Sequence, residues 1–161
     1  MRSEKVNRWL TLGANVGVLI GILLLVVELS QNREMIRAQT RNDISQQLSN
    51  RLSMIAADSQ TASLVRRAFA GEELSVDEES QYFLMFVANV RDWENIHYQY
   101  RHEMFDENEF AAERKAWKFV IDKNKAFERN WCLTRQNYSS EFVAEIERLA
   151  PEDICKPTQI E

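Results

Sequence analysis

Nineteen consecutive residues, 9–27, carry no charge within the stretch RWLTLGANVGVLIGILLLVVELSQN, residues 8–32. As a helix they extend about 28 Å, close to the roughly 30 Å hydrocarbon core of a bilayer. A cleaved signal sequence has a shorter apolar centre and a small-residue cleavage site, whereas this stretch closes on bulky Leu and Val. A helix laid on a soluble core ordinarily shows a polar face, and this one shows none. The chain is therefore predicted to cross a membrane once, over residues 9–29, after a short flank, 1–8.

Beyond the span the chain has the composition of helices. Its 161 residues include only four glycines and two prolines, and three of the glycines fall inside the apolar stretch. Such a chain is expected to be all-α: one N-terminal transmembrane helix continuing into a soluble helical bundle. Ile36, Thr40, Ile44, Leu48, Leu52 and Ile55 recur at helical spacing, so the span is predicted to run unbroken into an amphipathic segment over 31–58. A second helical piece, 60–69, is expected to stop at Gly71. Ser75 with Glu78 three residues on forms a capping box that opens a helix running to Met104. Its apolar residues lie on more than one face, which makes it the predicted centre of the domain. Asp106 caps a further helix to Asp122, a short helix covers 127–133, and a last one ends at Leu149 before Pro151. The soluble domain is expected over 30–150 and a C-terminal tail over 151–161, frayed after Pro157.

The formal net charge is -5, and no basic cluster interleaved with aromatics marks a nucleic-acid surface. No G-x-S-x-G, phosphate-binding loop or metal-type cysteine spacing occurs, so no enzyme, metal or cofactor is predicted. Three Lys or Arg residues flank the span on each side: Arg2, Lys5 and Arg8, then Arg33, Arg37 and Arg41. The positive-inside count ties, with the denser N-terminal group leaning toward a cytoplasmic N-terminus. Cys132 and Cys155 fit either one disulfide outside the cell or two free thiols inside it.

Two constellations stand out. Gly13, Gly17 and Gly21 form a ridge of overlapping GxxxG steps, where a second helix backbone could approach closely in lipid. Asn15, the one strongly polar side chain within the span, is read as lying beside that ridge. Glu28, at the far edge, reads as an interfacial acid. Glu94, His97 and Arg101 succeed one another along the central helix as a local polar cluster. The Glu-x-x-His spacing also occurs in carboxylate-bridged metal sites, but those use two copies, and this chain has one. The aromatics Trp93, Tyr98, Tyr100, Trp117, Phe127, Trp131, Tyr138 and Phe142 are expected to be core.

The segments LLLVVELSQNREMIRAQT, WENIHYQYRHEMFDENEF and FERNWCLTRQNYSSEFVAEIE resemble a group of uncharacterised small bacterial membrane proteins with one N-terminal span and a helical C-terminal domain. The resemblance covers nearly the whole chain and implies an inner-membrane protein whose domain lies in the cytoplasm; on that side both cysteines are expected to be free. Arg2, Lys5 and Arg8 depart from the acidic N-terminal flank common in that group. The expected function is non-enzymatic: association through the ridge in the bilayer and through the Ile36 to Ile55 stripe outside it, as a homo-oligomer or as an accessory subunit of a larger membrane complex. The competing readings are a metal-binding sensor or enzyme built on Glu94, His97 and His102, and a small oligomeric channel with Asn15 and Glu28 as its polar candidates.

Overall fold

A computed structural model describes residues 2–152, 154 and 155. Among them there is no strand. Six α-helices succeed one another: α1 (Arg2–Ala57), α2 (Ser59–Ala70), α3 (Val76–Arg101), α4 (Glu107–Lys123), α5 (Phe127–Thr134) and α6 (Ser140–Leu149), with a 3-10 turn at Arg135–Asn137 between the last two. The chain is all-α, as its scarcity of breakers predicts. The frayed end expected after Pro157 lies outside the described residues.

The span continues without interruption into the amphipathic segment, because no glycine or proline occurs between Gly21 and Ala57 to stop it. The chain nevertheless divides into two compact units, Met1–Gln39 and Thr40–Glu161. In the first, the apolar stretch is an exposed helix. In the second, the C-terminal part of α1 belongs to the bundle. Ile44 is buried in the main core, and Arg41 and Arg51 pair with Glu109 and Asp92. Leu48 and Leu52, from the same stripe, stay exposed.

Helix ends in the second unit obey local chemistry. Asp58 caps α2 by accepting from the Gln60 and Thr61 amides at 3.3 and 3.0 Å. The Ser75–Glu78 capping box is present, with Asp77, Glu78 and Glu79 in the first turn of α3. Gly71 closes α2 in the left-handed conformation, φ 73°, as its amide bonds to Ala68 and that of Glu72 to Arg67. The end of α3 repeats this closure: Glu103 bonds back to Tyr100 and Met104 to Gln99. Here the left-handed residue is Glu103, φ 59°. That is why α3 stops at Arg101 and not at Met104: the closure forms on a residue that carries none of the usual glycine signal.

Helix α3 is the hub of the core. Phe86, Val90, Trp93 and Ile96 point inward, and Phe86 and Trp93 meet aromatics of α4 and α5. Trp93 stacks on Trp117 of α4 with ring centroids 5.4 Å apart, and Phe86 meets Phe127 of α5 edge-on at 5.5 Å. Trp131 lies between Phe127 and Tyr138, and Phe142 of α6 packs edge-on against both Trp117 and Trp131. Six of the eight aromatics expected in the core are buried. Tyr100 is half-buried and stacks on Phe110. Tyr98 is exposed, because it lies on the face of α3 turned from the core and pairs with His102 instead.

The α2 closure gives a direct prediction. A Cβ on Gly71 would sit 3.0 Å from Cβ of Lys125 and would also hold a left-handed backbone. Gly71→Ala should therefore lower the stability of the helical domain by about 1–2 kcal/mol, read as a fall in its thermal midpoint. An unchanged midpoint would show that the α2–α3 corner relaxes freely.

Candidate functional site

Gly13, Gly17 and Gly21 lie on one face of α1, four residues apart, and a Cβ built on any of them meets nothing within 4 Å. The large side chains from Trp9 to Leu29 are all well exposed. Hydrocarbon is the medium that suits such a surface, and a bare ridge within it lets a second backbone approach. Helix geometry corrects one expectation here. At 3.6 residues per turn Asn15 lies about 160° around the helix from Gly13 and Gly17. The amide therefore faces away from the ridge, not beside it, and does not serve the same interface.

The other cluster resolves into a seam between two helices. Glu94, His97 and Arg101 share one face of α3, and each engages α6 or the turn before it. One carboxylate oxygen of Glu94 accepts from the backbone amide of Ser139 at 2.7 Å, and the other accepts from Arg91 at 2.5 Å. Ser139 makes no side-chain cap of its own, so a carboxylate from α3 sits at the N-terminal end of α6, where the helix dipole favours negative charge. The Arg101 guanidinium pairs with Glu141 at 3.2 Å. The His97 ring is buried between Phe110 and Phe142, with centroids 6.0 and 5.8 Å away. Among the described residues no three of His, Cys, Asp and Glu converge as metal ligands, and the Glu94 oxygens already have donors.

Three arginines and an acid that sequence reasoning did not single out complete the seam. Arg91 donates to the Asn137 carbonyl at 2.9 Å and lies 4.5 Å over the Tyr138 ring, which holds the 3-10 turn against α3. Glu145, only 5% exposed, is bracketed by Arg114 of α4 at 2.7 Å and by Arg148 at 2.8 Å. A carboxylate so deeply buried needs such partners. Its signal is visible in SEFVAEIERL, where Glu145 falls on the same apolar face as Phe142, Ile146 and Leu149. Burial holds the His97 imidazole below its usual range. Glu145 and Glu141 pull it up, and Arg101 and Arg148 push it down.

Cys132 and Cys155 are joined in a disulfide, with Cα atoms 5.4 Å apart. The expectation of two free thiols is thereby corrected. Cys132, on α5, is half-buried beside the C-terminal segment, whose Leu149, Ala150 and Ile154 pack on the main core. That packing brings Cys155 back to α5, a closeness between residues 23 apart that sequence spacing alone does not reveal. No family model matches the chain, and no curated protein or solved structure matches it. The seam's charged groups are engaged in joining helices, whereas the ridge glycines have open space around them.

The seam carries a pH signature. His97 binds its proton less readily folded than unfolded, so the unfolded chain takes up more protons in the window below the free imidazole value. The stability contributed by neutral His97 is present above about pH 6.5 and is lost as pH falls through that window toward the depressed folded value. Thermal midpoints taken from about pH 8 to about pH 5 should fall on the acid side, and His97→Gln should flatten that part of the curve. A slope unchanged in the variant would place the titration elsewhere.

Proposed function

We propose that this chain is a single-span protein of a bacterial inner membrane that works without catalysis, by association through the face formed by Gly13, Gly17 and Gly21. The observation that carries the reading is a helix long and apolar enough to cross a membrane, with an unfilled glycine ridge along it. In lipid there is no hydrophobic gain from hiding Leu or Val. Close backbone contact at small residues is what gives one helix a preference for another. The ridge suits a second copy of the chain, and equally a helix of a larger membrane complex.

We place the helical domain on the outer, oxidising side. The cysteine pairing supports this, because disulfides persist outside the reducing cytosol. The dense basic flank of Arg2, Lys5 and Arg8 supports it too, since Lys and Arg favour the cytoplasmic end of a span. Both run against the cytoplasmic placement that the family resemblance implies.

Native mass spectrometry of the detergent-extracted chain tests the association. The parent should appear as a discrete homo-oligomer or with a distinct co-purifying protein, and Gly17→Leu should weaken either assembly, because isobutyl groups hold the backbones apart. Equal assembly of parent and variant would remove the ridge as the interface. For the topology, a C-terminal alkaline phosphatase fusion should be active. An inactive phosphatase fusion with a fluorescent counterpart that lights up would put the domain in the cytoplasm.

A further inference from the structure

An open groove of about 800 Å³ runs between α2 and the C-terminal half of α4. Its apolar lining includes Val65, Phe69 and Phe119, and its charged lining is Arg66, Lys123 and Lys125. No acid lines it. The surroundings make that unusual. Residues 40–161 hold fifteen Lys and Arg against twenty-two Asp and Glu, so the groove is a basic trough in an acidic domain. Phe119 remains 60% exposed in it, although every buried aromatic of the core has found a neighbour. The trough is also built firmly. The Lys125 amide donates to the Phe69 carbonyl at 3.1 Å and fixes the loop after α4 to α2, and Gly71 lets the chain turn under the Lys125 side chain.

The shape decides the class of occupant. An enclosed pocket would suit a small molecule, which needs most of its surface covered. This groove is open along its length. A bilayer surface is flat and would meet protruding aromatics and cations, not a concavity. A helix is convex, and an apolar stripe with charged flanks fills an open trough between two helices. We propose that this groove docks an amphipathic helix of a partner protein, with apolar residues at i, i+3, i+4 and i+7 seated on Phe69 and Phe119 and Asp or Glu along its flanks facing Lys123 and Lys125. Arg66 already pairs with Glu72 at 2.9 Å, so the two lysines supply most of the selection by charge. The proposal rests on the α2–α4 surface and is independent of the glycine ridge.

The test uses the full chain in nanodiscs of neutral lipid and two fluorescent helical peptides of about five turns. Both carry Leu at the stripe positions; one has Glu on the flanks and the other Lys. The acidic peptide should bind at least about tenfold more tightly than the basic one, and Lys123→Glu with Lys125→Glu should invert that preference. Phe119→Ser should weaken both, while Gly17→Leu should leave binding unchanged, which keeps this result separable from the association reading. Equal binding of the two peptides, or a preference untouched by the lysine reversals, would overturn the proposal. An environment-sensitive dye at Ala116→Cys, on the same face of α4, should respond to the acidic peptide and not to anionic lipid in the nanodisc. A response to anionic lipid alone would make the groove a membrane contact and would overturn it as well.

Discussion

The structure depends on α3 being covered from several directions at once. Its apolar residues extend around more than half of its circumference, and a helix of that kind has no stable place until others surround it. The later helices are short, and α5, with eight residues, could not persist alone in water. They are helices because α3 gives their aromatic faces something to cover. Trp117, Phe127, Trp131 and Phe142 meet α3 or one another in a continuous series of ring contacts. Losing one of the central indoles would cost about 3–5 kcal/mol, a large share of a small domain's stability.

Polar groups then fix which of several ways of packing is adopted. Aromatic contacts alone tolerate sliding. Glu94 at the start of α6, Arg91 on the 3-10 turn and the Arg114–Glu145–Arg148 group each fit one register only. Removing the partners of the buried Glu145 carboxylate would be costly because it leaves a buried charge unpaired. The disulfide adds a covalent tie between α5 and the segment after α6, which restricts the unfolded chain. The titratable residues that crowd the α3–α6 seam pair across it and so position the helices.

Much of this was legible in the sequence because it is local. The unbroken α1, the capping box at Ser75, the cap at Asp106 and the stop at Gly71 depend on residues a few positions apart. The early end of α3 was not legible, since Glu103 takes a left-handed conformation without a glycine to announce it. Glu94, His97 and Arg101 could be seen as one face, but their partners lie forty or more residues on, at Ser139, Phe142 and Glu141. Likewise the cysteine pairing arises from how the C-terminal segment folds back, not from any spacing rule. The amphipathic stripe was read as one surface, yet the fold divides it: Ile44 enters the core while Leu48 and Leu52 remain outside. Only a tertiary partner decides which part of a stripe is used.

The central claim is that the ridge face of the span, and not its far side, meets another protein. Photo-crosslinking from single positions in the native membrane tests it most directly, because a benzoylphenylalanine reports any protein neighbour, whether a copy or not. Leu10, Ala14, Ile20 and Leu24 lie within about 60° of Gly17 around the helix, and Leu12, Leu19 and Ile22 lie beyond about 120°. The account predicts protein adducts from the first group and lipid contact alone from the second. Adducts confined to the second group, or none from either, would contradict it.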